Sequence, residues 1–322
     1  MRGVTSSVHV VCVLRTTPAL EEAIRAVDPR VVLTAAPRLD AVAAALPEAE
    51  VYFGWELPAD RLAQAPRLRW VHCAGAGVDR LPLAELAARG VTVTNSRGTH
   101  VTLLAEYALG AMLMFARHLH VAHRQQILHR TWHRPPALGG QLAGRTVAIL
   151  GLGAIGADVA RRCAQFGMRV IGLRREPGAV PHVERVYGPD ALEACLREAD
   201  YVVIALPLTP QTRKMIGAAQ LAVMKPEAVL VNLGRGGVVD EAALAEALAA
   251  GRLRGAALDV FEQEPLPPDS PLWALDNVLI TPHTAGSAPY YADLAVPLFC
   301  ENLRRYLRGE PLRNVVDPAR GY

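Results

Sequence analysis

The segment VAILGLGAIGADVARRC, Val147 to Cys163, constrains this chain more than any other. A short apolar run breaks on Gly151, passes through Gly153 and Gly156, and continues into an Ala/Arg-rich stretch of helical character. Glycines at G-x-G-x-x-G spacing between a strand and a helix have distinct uses. The first makes a tight turn, the second lets the backbone approach a pyrophosphate, and the third lets helix and strand pack closely. The helix N-terminus then faces the anion. The plain alternative is a glycine-rich turn with no ligand. Strand, loop, helix and following strand all agree, and favour a dinucleotide loop of Gly151, Gly153, Ala154, Ile155 and Gly156.

The rest of the chain supports that placement. From Thr146 the runs TVAIL, RVIGL, YVVIAL, AVLVNL, GAALDV and NVLIT read as six strands separated by helices, a doubly wound parallel sheet. The first third carries candidate strands at Val8–Leu14, Val31–Leu33, Val51–Phe53, Leu68–Cys73 and Val91–Thr94, again alternating with helical segments. Between the halves runs one long helical pattern, from Thr99 to Arg130, followed by the breaker-rich TWHRPPALGGQLAGR. Pro289 to Arg308 is helical again. The 322 residues suit two α/β domains in close contact with a cleft between them.

With half its residues apolar but only 5% aromatic, the chain has the aliphatic core expected of parallel strands buried on both faces. A net charge of +3, with scattered arginines, argues against a nucleic-acid partner. The five cysteines form no C-x-x-C pair, which fits a reducing cytoplasm. The N-terminal apolar run, Val8 to Leu14, is too short for a signal peptide or membrane span, and no membrane association is expected.

Arg174 lies eighteen residues after Gly156, near the position where a ribose-binding acid is expected. Arg174 and Arg175 stand there instead. An acid would repel a 2′-phosphate, whereas guanidinium groups match phosphate geometry. One such contact at roughly 1.5–3 kcal/mol would give about a tenfold to 150-fold preference, and a second would add to it. The favoured reading is NADP(H), with NAD(H) possible. Two rivals stay open: a solvated strand end, or Glu176 in the acid's role.

VLVNLGRGGVVDEAAL, GAALDVFEQEPLP and VLITPHTAG, together with GLGAIG and LPLTPQT, closely resemble the D-isomer-specific 2-hydroxyacid dehydrogenases, in the branch of glyoxylate and hydroxypyruvate reductases. The motifs cover residues 72 to 286 in order. The resemblance implies a flavodoxin-like substrate domain, residues 1–98 and 287–322, around a Rossmann-type dinucleotide domain, residues 99–286. By position, Arg235 matches the arginine that binds the substrate carboxylate and carbonyl, Glu264 its acid partner and His283 the proton donor. Asp259 matches a residue at the nicotinamide end. Leu206, Pro207, Thr212, Leu233, Gly234, Arg235, His283 and Ala285 match cofactor-contacting positions. The chemistry asks for these types independently. Reducing a 2-oxo acid needs a proton for the carbonyl oxygen, a task for an imidazole, and a cation for the carboxylate. Taken singly, each residue also has a bland reading as an ordinary loop or capping side chain.

HCAGAGVDRL resembles the family's loop whose backbone amides, here of Ala76 and Gly77, hold the substrate carboxylate. The alternative is a simple strand-to-helix turn. Trp55, Trp132 and Trp273 are candidates to line a small-substrate pocket, or else ordinary core or interface residues. Glu106 matches the usual acid of the crossing helix, while His100 and Thr102 depart from the residues usual there. Six of ten histidines lie between His100 and His133; His120 and His123 have ligand-like spacing but no acid or Cys cluster, so no metal is expected. The resemblance implies a homodimer through the long helix and the loop after it. Two other activities share these motifs: a dinucleotide-sensing corepressor, and a phosphite or formate dehydrogenase. The formate branch usually carries a longer N-terminal extension than is seen here.

Overall fold

A computed structural model describes residues 7–132, 140–318 and 321. They fall into two compact units, one within 1–100 and 288–322, the other within 101–287.

The first unit holds five strands: β1 Val8–Val13, β2 Val31–Ala35, β3 Val51–Gly54, β4 Trp70–Cys73 and β5 Thr92–Asn95. Their order is β2-β1-β3-β4-β5, all parallel, the flavodoxin-like order. Parallel pairing needs crossovers that cover both faces, and accordingly β3 and β4 are buried throughout. One cover is the C-terminal helix Tyr291–Arg308. Its Phe299 ring stacks on Phe53 at 4.3 Å and on Trp70 at 5.3 Å between centroids. The distant C-terminal segment is thereby tied into the N-terminal sheet.

The second unit holds β6 Thr146–Leu150, β7 Arg169–Leu173, β8 Arg185–Tyr187, β9 Tyr201–Ile204, β10 Val229–Asn232, β11 Gly255–Leu258 and β12 Val278–Ile280. The parallel order β12-β11-β10-β9-β6-β7-β8 is Rossmann-type, and its strand order reverses between β6 and β9. Aliphatic clusters lie on both faces. One contains Leu104, Met112, Ile149, Val159 and Val231, and the other Leu150, Ile171, Ile204, Leu230 and Leu248.

Two sequence expectations need correction. The sheet has seven strands, not six: β8 has only three residues, alternates Arg-Val-Tyr, and shows no apolar run. The long helical pattern is not one helix. It runs Val101–Ala116, breaks at His118 (φ 53°), resumes at Leu119–Arg124, and ends in a wider turn, Gln125–His129. At the break the Phe115 carbonyl accepts hydrogen bonds from His118 N and from the Arg254 guanidinium, so a partner distant in sequence competes for the helix's next acceptor. The breaker-rich segment lies partly outside the described residues, His133 included. Among the described residues no helix is long and apolar enough to cross a membrane.

Candidate active site

Because all seven strands of the second unit run parallel, whatever follows each strand gathers on one edge. Gly151 follows β6, Arg174 follows β7, Leu206 comes just after β9, Leu233 to Arg235 follow β10, Asp259 follows β11 and His283 comes just after β12.

The three loop glycines meet different demands. Gly151 has φ +102°, and a Cβ there would sit 2.7 Å from the Ala205 carbonyl oxygen. A Cβ on Gly156 would sit 2.1 Å from the Gly151 oxygen, so the helix Ala154–Gln165 can close on the loop only without a side chain. Gly153, the N-cap of that helix, has open space around its Cβ position and no side-chain cap. A backbone that is bare where packing does not require it leaves room for a ligand against the helix N-terminus, so the loop fits a pyrophosphate. The ladder brings Arg174 beside it, since Gly151 N donates to Leu173 O at 3.0 Å. Arg174, Arg175 and Glu176 are all exposed, and the Arg174 side chain has no polar partner among the described residues.

After β10, Asn232 braces the turn from both sides. Its Oδ1 accepts Gly234 N at 3.1 Å and its Nδ2 donates to Arg235 O at 3.2 Å. The half-buried Arg235 donates from Nη1 to Gly234 O at 2.7 Å. Asp259 is 1% exposed. Its carboxylate accepts the Thr281 hydroxyl at 2.6 Å, Thr284 N at 2.8 Å and Ala285 N at 2.9 Å. Thr281 in turn accepts from the Tyr107 hydroxyl at 2.7 Å, and burial pushes that phenol up to about 12, so it stays a donor. Asp259 therefore ties down the turn that carries His283, whose amide also donates to Asp259 O at 2.9 Å. That amide geometry holds His283 at φ 54°, a strained conformation for a non-glycine residue. The His283 Nδ1 donates to Glu264 Oε2 at 2.8 Å, and the other Glu264 oxygen accepts Phe261 N. A carboxylate only accepts, so Nδ1 carries a proton and Nε2 is the atom left for exchange with a ligand.

In the first unit the loop after β4, Ala74 to Gly77, has every carbonyl held. Ala74 O accepts the Tyr291 hydroxyl at 2.7 Å, Gly75 O accepts Ser96 N at 3.0 Å, and Ala76 O accepts Asn95 Nδ2 at 2.7 Å. Gly77 O accepts the Cys73 thiol at 3.3 Å. Among the described residues no acceptor is found for the amides of Gly75, Ala76 and Gly77. Held carbonyls beside amides with no acceptor are the arrangement from which an anion-binding concavity can be made. Trp55, 44% exposed, lies against Gly75, whose Cβ position is 3.3 Å from the indole. Beneath the loop, His72 is fully buried and its pKa falls to about 3 through desolvation. Neutral, it sits in a directional relay. Trp70 Nε1 donates to Thr94, Thr94 to His72 Nδ1, His72 Nε2 to Ser96, and Ser96 to Cys73 O.

Other singled-out residues have structural partners. Glu106 pairs with Arg162 at 3.3 Å, linking two helices of the second unit. The Thr212 hydroxyl donates to Pro207 O at 2.6 Å and closes its own loop. Trp273 donates to Pro267 O, and Trp132 is fully exposed. His118 and His120 line a cavity of about 480 Å³ with Phe115 and Arg254, at the strands' N-terminal edge and so opposite the glycine loop. Among the described residues no three His, Cys, Asp or Glu side chains are grouped to hold a metal. Reading the sequence missed Tyr107, Thr281, Asn232, Asn95 and Tyr291. Asn232 and Thr281 lie inside the quoted motifs VLVNLGRGG and VLITPHTAG but are not the charged or titratable residues that draw attention there, and Tyr107, Asn95 and Tyr291 act through partners distant in sequence.

The family model of the D-isomer specific 2-hydroxyacid dehydrogenase NAD binding domain matches residues 109–285. A glyoxylate reductase from Korarchaeum cryptofilum is 40% identical over 269 residues, covering 81% of this chain and 80% of the relative. A D-3-phosphoglycerate dehydrogenase from Methanocaldococcus jannaschii is 39% identical over 268 residues, 82% of this chain, which spans only 50% of that relative's length. A crystal structure of a D-isomer specific 2-hydroxyacid dehydrogenase from Xanthobacter autotrophicus Py2, in complex with NADPH and MES, superposes with a TM-score of 0.83. It is 37% identical, and the match covers 99% of this chain and 100% of that one.

Proposed function

Because the chain belongs to the D-isomer specific 2-hydroxyacid dehydrogenase family, we propose that it reduces a small 2-oxo acid, of the glyoxylate or hydroxypyruvate kind, to the D-2-hydroxy acid. The observation that carries this reading is the His283–Glu264 pair, with Nδ1 fixed on a part-exposed ring and Nε2 left for a ligand. The nicotinamide, when bound, supplies the hydride. The chain's own residues do the rest. Amides of Ala76 and Gly77 hold the substrate carboxylate, and Arg235 holds the carboxylate and polarises the carbonyl. His283 Nε2 delivers the proton to the carbonyl oxygen, while Glu264 keeps the ring oriented. In the reverse direction the same nitrogen takes the hydroxyl proton. The glycine loop holds the pyrophosphate.

NADP(H) is the preferred cofactor in this reading. Arg174 supports it, an exposed guanidinium one residue past the strand that pairs with β6, where a 2′-phosphate would meet it. The NADPH bound to the Xanthobacter relative agrees. The protein acts as a homodimer through the segment after the long helix, which exposes Leu119, Ile127, Leu128 and Trp132. Five buried cysteines, none of them in a disulfide among the described residues, suit a reducing compartment.

The test is a matrix of NADPH and NADH against glyoxylate, hydroxypyruvate, its 3-phosphate and longer 2-oxo acids, followed by absorbance. Fastest turnover of a two- or three-carbon acid with NADPH is expected. Absence of turnover with every acid would sink the enzyme reading and leave a dinucleotide-binding corepressor.

A further inference from the structure

We propose that the Gly75 amide is a third donor to the substrate carboxylate, and that Tyr291 is the positioning residue that aims it. The inference rests on the reading that the loop Ala74–Gly77 receives the carboxylate. A peptide unit is planar, so the carbonyl of one residue and the amide of the next point opposite ways. Fixing a carbonyl therefore aims the following N–H. Ser96 N on Gly75 O aims the Ala76 amide, and Asn95 Nδ2 on Ala76 O aims the Gly77 amide. By the same logic the Tyr291 hydroxyl on Ala74 O aims the Gly75 amide. Gly75 lacks a Cβ, so without that hydroxyl little restrains rotation of its peptide.

Tyr291 is well held for the task. It opens the C-terminal helix, 217 residues from Ala74. Its ring lies between Trp55, 4.8 Å away, and His100, 5.4 Å away. The proton positions follow from the neighbours. The Thr99 hydroxyl donates to Ser96 O at 2.9 Å and the Tyr291 hydroxyl donates to Ala74 O, so both oxygens near His100 Nδ1, each at 3.2 Å, are acceptors. Nδ1 carries the hydrogen they share. Burial pushes the phenol pKa upward, which keeps the hydroxyl a neutral donor.

The experiment compares wild type with Tyr291→Phe, which keeps the ring stack and removes only the hydroxyl. KM for glyoxylate rises about tenfold while kcat stays within about twofold, and the cofactor Kd is unchanged. Inhibition by oxamate weakens by the same factor. The preference for a 2-oxo acid over its methyl ester falls with it, a change that a general loss of packing would not produce. An unchanged KM and acid/ester ratio in a folded variant overturns the proposal and leaves the enzyme reading standing. A wild type that reduces no 2-oxo acid overturns both. The wild-type protein gives a second readout, independent of any variant. Its Gly75 amide resonance shifts on adding oxamate, and a Gly75 signal that stays put while the Ala76 and Gly77 signals move also overturns the proposal.

Discussion

Two loops of this chain offer backbone amides to an anion in the proposed reading, and they are built differently. Gly151 to Gly156 does it locally. Its turn, its close packing and its bare helix N-terminus are all encoded within six residues. Ala74 to Gly77 does it by assembly. Its carbonyls are drawn inward by Cys73, Asn95, Ser96 and Tyr291, from three separate segments. A local cradle should fail when its own residues change. An assembled one should fail when remote residues change, and by smaller steps, because each donor aims one amide.

That contrast can be broken in four places. The largest effect belongs to the second unit's chemistry. His283→Asn should lower kcat about a thousandfold with cofactor Kd nearly unchanged, as stopped-flow and fluorescence titration would show. Near-normal turnover would remove His283 from its role. Next comes the base of the assembled loop. His72 has a folded pKa of about 3 against an ordinary 6.5, so it must gain a proton on unfolding below pH 6.5. Its contribution is fully present above 6.5 and is lost as pH falls, by ~4 kcal/mol near pH 3.5. Chemical denaturation of His72→Gln across that range should show a flatter acid limb, and parallel curves would refute it. Arg174→Asp should move the NADPH/NADH ratio of kcat/KM toward NADH by tenfold to a few hundredfold, or ~1.5–3 kcal/mol. A constant ratio would make Arg174 a solvated strand end. The smallest effect is Asn95→Ala, which should raise substrate KM several-fold, ~1 kcal/mol, with kcat little changed. A loss as large as that of His283→Asn would mean the loop collapses as a unit.

The same contrast explains what could be read in advance. Strands such as Thr146–Leu150 and Arg169–Leu173 stand out because burial on both faces demands continuous apolar runs. Arg235, Asp259 and His283 could be placed because their motifs match the family's by position, and each follows such a run. What Asp259 does was not legible. Besides the place at the nicotinamide end that its motif implies, its carboxylate accepts from the Thr281–Ala285 turn through contacts 22 to 26 residues away, which no motif displays. Tyr291 was invisible for a stronger reason, since its meaning depends on a carbonyl 217 residues distant. The break at His118 escaped notice because helical periodicity continues through it, while the competing Arg254 contact lies 139 residues from Phe115.

The strand that hydropathy overlooked, Arg185–Tyr187, has a consequence of its own. It forms an outer rim of the seven-stranded sheet, where unpaired backbone groups invite another chain to add on. The rim is only three residues long and is crossed by charges. Arg169 pairs with Glu184 at 2.9 Å and with Glu198 at 2.7 Å, and Arg185 reaches Glu198 at 3.3 Å. A neighbouring strand would have to strip water from these groups while gaining few ladder bonds. The polarity that hides this strand from a sequence reader also guards the sheet against aggregation.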